Sequence, residues 1–168
     1  MVQDTLGFMW MATQDGLNHY DGETFSVYRP SKADKNSLQS NYIRSLFLDH
    51  KGLVWVGGNQ GVSRFDYTKE NFQNYKFPRK SGEWYISSIV EDANKVVWAS
   101  SSSGEIFLLD ASSGQFKQVN FDASAFDIKS VTRLALVKNI LFVGTDVGLF
   151  KMNTASKKLT VLNLSLGK

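Results

Sequence analysis

Apolar residues in this chain come in short runs, each closed by a polar or glycine-containing turn. Residues 43–48, 86–90 and 131–136 are apolar-rich stretches. Polar turns follow the first two, Asp49-His50-Lys51-Gly52 and Asp92-Ala93-Asn94-Lys95. A second run carries a large aromatic, as in Leu53-Val54-Trp55-Val56. A glycine turn leads to a third run, such as 62–65 or 106–109, and an Asp-started turn to a fourth, at 25–28, 72–77, 116–121 and 159–162. Runs of this length between such turns predict β-strands. Helical periodicity is absent over any useful length.

The pattern repeats. Large aromatics stand at Trp10, Trp55, Trp98 and Phe142, with spacings of 45, 43 and 44 residues. Two residues after each comes a small residue, Ala12, Gly57, Ser100 or Gly144, and six after each comes Gly16, Gly61, Gly104 or Gly148. The third strand of each copy ends at Asp21, Asp66, Asp110 or Asn153. Six residues before the three Trp anchors stand Asp4, Asp49 and Asp92, whereas Leu136 takes that place before Phe142.

Four strands in about 44 residues make one propeller blade. The fold class expected is all-β: a β-propeller fragment of about four four-stranded blades, forming one partial domain over 1–168. The blades fall at roughly 1–29, 42–78, 85–122 and 130–164, and the first is expected to lack its inner strand. Glycine at the fixed turn position tolerates positive φ, and Asp or Asn at a strand end starts the next turn through its own backbone. The small residues let neighbouring blades approach, and the anchors fill the space between blades, because one blade cannot bury both of its faces. Copy three departs from the pattern, with Glu105 where the others have Leu17, Val62 and Leu149.

Several segments resemble the two-component regulator propeller repeat. They are Gln3-Asp4-Thr5-Leu6-Gly7-Phe8-Met9-Trp10, Ala12-Thr13-Gln14-Asp15-Gly16-Leu17-Asn18 and Tyr20-Asp21-Gly22. The linker Asn36-Ser37-Leu38 with Ser40-Asn41-Tyr42-Ile43 resembles that family's connection between blades, and Asp49, Gly52, Trp55, Val56, Gly57, Gly61 and Arg64 repeat the pattern. The resemblance implies the periplasmic part of a hybrid histidine kinase, of a kind common in Bacteroides-like bacteria, sensing polysaccharide breakdown products. Such parents carry two successive propellers, a β-sandwich, a membrane helix and a cytoplasmic kinase. On that basis the chain is expected to be a soluble fragment of a membrane-anchored sensor, with no kinase of its own. Four copies are fewer than the family's usual number, so open blade ends are expected to pair two chains into a homodimer.

Composition narrows the chemistry. Net charge is +3 with a sequence pI near 9.0, and Lys and Arg are scattered, which gives no nucleic-acid footprint. There is no cysteine, so disulfides and thiolate metal sites are excluded. The sequence shows no secretory leader pattern and no apolar run near membrane-spanning length. His19 and His50 lack partners at metal-ligand spacing, and no cofactor is expected. Asp15 with Asp21 and Glu91 with Asp92 are formal carboxylate pairs, but the repeat explains Asp21 and Asp92 as turn formers, so no catalytic residue is assigned. Gly57-Gly58-Asn59-Gln60-Gly61 joins two strands and opens no helix, unlike a phosphate loop.

The loops outside the repeat remain for ligand binding. One, at 30–39, holds Lys32, Asp34 and Lys35. The other, at 78–85, holds Arg79, Lys80, Trp84 and Tyr85, where an aromatic pair beside basic residues could stack on a sugar and hold its acidic groups. The competing role for Trp84 and Tyr85 is packing as the lead-in to the strand at Ile86, which the sequence favours. A non-catalytic sensor, a protein-interaction scaffold and a carbohydrate-active propeller enzyme are the three functional classes that remain.

Overall fold

The computed structural model describes residues 1–59, 61–77, 83–121 and 126–162. Its named elements are all strands, arranged as four antiparallel four-stranded sheets, each a simple meander. The first sheet is β1 (Val2–Gln3), β2 (Met9–Thr13), β3 (Gly16–Tyr20) and β4 (Phe25–Tyr28). The second is β5 (Ile43–Leu48), β6 (Val54–Gly58), β7 (Gly61–Asp66) and β8 (Asn71–Lys76). The third is β9 (Ile86–Glu91), β10 (Val97–Ser101), β11 (Ile106–Asp110) and β12 (Gln115–Gln118). The fourth is β13 (Val131–Val137), β14 (Ile140–Thr145), β15 (Gly148–Asn153) and β16 (Leu159–Val161). The sheets follow one another as blades: β5 touches β1 and β2, β9 touches β5 and β6, and β13 touches β9 and β10.

The first blade does not lack its inner strand. Val2 and Gln3 pair with Trp10 and Met9 and complete the sheet as a two-residue strand. Val2 is half-buried against the cluster around Trp10, which gives this short strand an apolar anchor. Copy three also differs from its reading. Ser100 pairs with Ile106, whereas Ala12, Gly57 and Gly144 pair with Leu17, Val62 and Leu149. The turn of copy three is therefore one residue longer. Ile106, fully buried, fills the core position, and Glu105 sits in the turn as an acceptor for the Ser101 hydroxyl.

The core lies between blades, not within them. Trp10 clusters with Val54, Val56 and Phe65 of the second blade. Trp55 clusters with Val97, Ala99 and Phe116 of the third, and Trp98 with Leu141, Val143 and Phe150 of the fourth. All three indoles are at most 2% exposed. Burial of an aromatic of this size removes ~150–250 Å² from water, worth about 4–6 kcal/mol at ~25 cal per Å².

Each buried indole N–H needs an acceptor, and the repeat supplies one. Trp10 Nε1 donates to Asp4 Oδ2 at 2.7 Å, Trp55 Nε1 to Asp49 Oδ2 at 2.8 Å and Trp98 Nε1 to Asp92 Oδ2 at 2.9 Å. The other carboxylate oxygen accepts two backbone N–H groups of its own turn: Leu6 and Phe8, Lys51 and Leu53, or Asn94 and Val96. One Asp therefore shapes the turn and fixes the indole. In the fourth blade Phe142 has no N–H to satisfy, and Leu136 stands where the Asp would be. At Asp4, burial pushes the carboxyl pKa up, but hydrogen bonds from Trp10, Tyr67 and the turn outweigh it and hold the group below its ordinary value.

Asp21 accepts bonds from the Glu23 and Thr24 N–H groups and from the Thr24 hydroxyl, which draw its pKa down to about 2. Asp66, Asp110 and Asn153 cap their turns in the same way. Gly16, Gly104 and Gly148 have φ of +106°, +89° and +138°. Gly61 is required for space instead, since a Cβ there would lie 2.7 Å from the Tyr75 carbonyl and the Gln39 amide.

Candidate functional site at the channel mouth

The inner strands β5, β9 and β13 stand side by side and line a channel. Each carries a β-bulge near its start. Ile43 and Ser45 pair with Gly58 and Gly57, which leaves Arg44 unpaired between them. Ser87 is skipped in the same way between Ile86 and Ser88, and Thr132 between Val131 and Arg133. A bulge re-aims the side chain of its extra residue, and Arg44, Ser87 and Thr132 all line one cavity of about 240 Å³ where the three strands begin. A second cavity of about 300 Å³ continues along Ser45–Phe47, Ser88–Val90 and Arg133–Leu134.

The three bulge residues behave differently. The Ser87 hydroxyl donates to the Ser100 carbonyl at 3.2 Å, and the Thr132 hydroxyl to the equivalent Gly144 carbonyl at 3.1 Å. Each closes its own bulge. Arg44 instead reaches out between two rings, with its guanidinium carbon 4.3 Å from the Tyr42 centroid and 4.7 Å from that of Tyr85. Tyr42 and Tyr85 occupy the same place before their blades, each thirteen residues ahead of its Trp. Arg44 is exposed and forms no ion pair with a described carboxylate. Ring stacking uses the guanidinium faces and leaves the in-plane N–H donors for a planar acceptor.

A third cavity, of about 510 Å³, opens beside this group. Tyr42, Arg44 and Tyr85 form one wall, Asn59 and Ser102 add amide and hydroxyl groups, and Glu83 adds one carboxylate. Asn59 and Tyr85 are joined by a β-bridge across the two blades. The arrangement combines aromatic surface, a held cation and short polar groups, and is suited to a polar ligand with a planar anionic or carbonyl group.

Of the residues assigned to ligand contact from sequence, Tyr85 lies in this wall. Trp84 also borders the cavity, but it is 7% exposed and belongs to the core cluster with Phe77, 5.8 Å between ring centroids. Arg79 and Lys80 lie outside the described residues. Sequence reasoning missed Arg44, Asn59 and Ser102, and took Tyr42 as linker. The matched places of Tyr42 and Tyr85 in the repeat were the available signal. The loop at 30–39 folds against the outer strand β8, where Asn74 Nδ2 donates to the Lys35 and Ser37 carbonyls and the Phe72 N–H to the Asn36 carbonyl. It covers a sheet edge.

Neither histidine lines these cavities. His50 Nδ1 lies 2.7 Å from Glu91 Oε1, and the His50 backbone N–H donates to Glu91 Oε2, joining the second and third blades. The His19 ring packs 4.3 Å from that of Trp10. Among the described residues no group of three His, Cys, Asp or Glu is placed to hold a metal ion, and no helix is long and apolar enough to cross a membrane.

Comparison with known proteins places these features. The two component regulator propeller family matches residues 37–60, the stretch that carries Tyr42, Arg44, Asp49, Trp55 and Asn59. Histidine kinase P4 of Formosa agariphila is 47% identical over 36 residues, which is 21% of this chain and 3% of that protein. The extracellular domain of the hybrid two component system BT3049 from B. thetaiotaomicron overlays 97% of this chain with a TM-score of 0.78 at 20% identity. Virginiamycin B lyase from Staphylococcus aureus, in its inactive H270A form with quinupristin, overlays 98% of it with a TM-score of 0.76 at 14% identity. At these identities the structural likeness establishes the fold. The chain spans 24% of the BT3049 domain and 55% of the lyase. Repeat, fold and family match agree: this is an arc of four β-propeller blades that carries a two-component regulator propeller repeat.

Proposed function

We propose that this chain is a ligand-recognition part of the extracytoplasmic, periplasmic sensor region of a two-component regulator, with no catalysis of its own. The ligand we assign is an oligosaccharide released by polysaccharide breakdown, held at the channel mouth. The observation that carries this reading is Arg44, set on a bulge and held between Tyr42 and Tyr85 beside an open polar cavity. The family match over the stretch that holds Tyr42 and Arg44 and the histidine kinase relative support the regulatory context. The non-catalytic reading is supported by the cavity walls, where Glu83 is the one carboxylate and no His appears among the described residues.

Calorimetric titration of the purified chain with a panel of neutral and acidic oligosaccharides tests the assignment. Binding by the parent chain and loss of about ten- to a hundredfold in Arg44→Ala is expected, since a hydrogen bond to a charged group is worth about 1.5–3 kcal/mol. Equal binding by the variant, or no binding across the panel, defeats it. Cleavage of any sugar during the titration defeats the non-catalytic part.

A further inference from the structure

The cavity of about 510 Å³ beside Arg44 lies between the second and third blades, and each of these has a neighbouring blade on both sides within the chain. Its walls use one set of repeat positions twice. Tyr42 and Tyr85 stand thirteen residues before their Trp, Ser40 and Glu83 fifteen before, and Asn59 and Ser102 four after. Backbone bonds hold both tyrosines in place. The Tyr42 and Asn59 N–H groups each donate to the Ser40 hydroxyl at 3.2 Å. The Tyr85 N–H donates to the Ser102 hydroxyl at 3.2 Å, and the Tyr85 carbonyl accepts the Ser102 N–H at 2.9 Å. The bridge to Asn59 ties Tyr85 to the preceding blade as well. The Arg44 guanidinium therefore sits between two rings that are themselves fixed. A cation held in this way costs a ligand little further ordering.

We propose that this cavity recognises a single carboxylate, and that its ligand is a short sugar chain ending in one uronic acid whose carboxylate sits on Arg44. The carboxylate is assigned from the site itself, while the sugar rests on the sensor reading above. Three observations carry the assignment. Arg44 is exposed and forms no ion pair with a described carboxylate, and rings occupy both faces of its guanidinium. Its N–H fork is thus presented edge-on, which matches the two coplanar oxygens of a carboxylate, whereas a neutral hydroxyl engages one donor and none of the charge. Glu83 stands in the same cavity, so the formal charges of the wall cancel. A second anionic group on the ligand would meet that carboxylate, which selects a singly charged fragment over a polyanion. Finally, the Ser102 hydroxyl spends its acceptor on the Tyr85 N–H and keeps its own proton to donate, and the Asn59 amide can donate and accept. These short polar groups suit the hydroxyls of a sugar ring.

Calorimetric titration of the chain with three matched probes tests it: a disaccharide ending in glucuronate, the same disaccharide with its carboxylate reduced to the alcohol, and benzoate as an acid without a sugar. The acidic disaccharide should bind about ten- to a hundredfold more tightly than its reduced form. Arg44→Ala should abolish that difference by weakening the acidic form alone. Arg44→Lys, which keeps the charge without the planar fork, should restore only part of it. Glu83→Gln should tighten a disaccharide of two uronates more than one with a single uronate. Both side chains are exposed, so the variants should fold like the parent, which circular dichroism checks. Equal binding of the acidic and reduced forms overturns the carboxylate assignment and leaves the oligosaccharide reading standing. Binding of benzoate alone, lost in Arg44→Ala, upholds the carboxylate site and defeats the oligosaccharide reading. Binding of none of the three, or full restoration by Arg44→Lys, overturns the proposal, and an equal response of both uronate ligands to Glu83→Gln overturns the preference for a single charge.

Discussion

At the residue scale the Asp–Trp pair governs each of the first three blades. Burial of the indole supplies most of the stabilisation, while the carboxylate decides where the indole sits and spares its N–H an unsatisfied burial. An unpaired buried donor costs about 1–3 kcal/mol, whereas apolar replacement of both partners is close to neutral. The fourth blade already shows the apolar solution in Leu136 and Phe142. Asp49→Leu is therefore expected to destabilise strongly, and Asp49→Leu with Trp55→Phe to cost less than the sum of the singles by about 1 kcal/mol or more. Urea denaturation of the four proteins in that cycle measures the coupling, and additivity sinks the argument. Asp4 adds a pH dependence. Its pKa in the fold lies below the ordinary 3.8, so its stabilising contribution is complete above that value and is lost as pH falls through the depressed one. The denaturant midpoint should fall on acidification through this range, and Asp4→Leu, although less stable at neutral pH, should lose less across it. The sequence displayed Asp at the same offset in the three Trp copies and Leu in the Phe copy. It was legible as a turn former, because turn chemistry is local, whereas the indole bond depends on the hairpin folding back.

At the element scale, what could be read in advance follows how local its cause is. Strands, turns and anchors repeat with the chain and were visible as a period. The bulges at Arg44, Ser87 and Thr132 recur once per inner strand, but three different residue types occupy them and no residue pattern marks a bulge in advance, because it is a property of a pair of strands. Arg44 accordingly stayed hidden, while Tyr85, beside an obvious aromatic pair, did not. The small residues two places after the anchors were legible as contact points between blades, and the geometry turns that into a contrast. A Cβ on Gly57 would lie 2.1 Å from the Ser45 hydroxyl and 2.7 Å from Ile86 Cγ2 on the next blade. On Gly144 the nearest atom would be the Thr132 hydroxyl at 3.2 Å. Ser45 Oγ also donates to the Ile86 carbonyl at 3.1 Å, so it cannot move aside without breaking a buried bond. Gly57→Ala should therefore cost about 1–3 kcal/mol as overpacking. Gly144→Ala should stay within about 0.5 kcal/mol. Thermal unfolding of the two variants decides the point, and equal losses contradict the packing reading.

Across the whole molecule, each blade contacts its sequence neighbours, so stability is close to a sum of blades and junctions. The junctions are not equal. The first combines the Trp10 cluster with a hydrogen bond at 2.9 Å from the Tyr67 hydroxyl to Asp4. The second combines the Trp55 cluster with the His50–Glu91 pair and the Ser45–Ile86 bond, and it alone divides the arc into equal halves. Truncation of a large buried aromatic costs about 3–5 kcal/mol. At Trp55 that loss falls on the central junction. Trp55→Ala should therefore both lower stability by that amount and uncouple the two halves, giving a broader urea transition with a smaller slope, as expected when two-state behaviour fails. Trp10→Ala, with a comparable loss, should release the first blade alone. Amide hydrogen exchange resolves the two cases strand by strand. In Trp10→Ala the strands β2 and β3 should lose protection while β9 and β10 keep theirs. In Trp55→Ala the strands on both sides of the central junction, β6 and β7 with β9 and β10, should weaken together. Uniform loss of protection in both variants would mean that the arc unfolds as one unit and that no single junction sets its cooperativity.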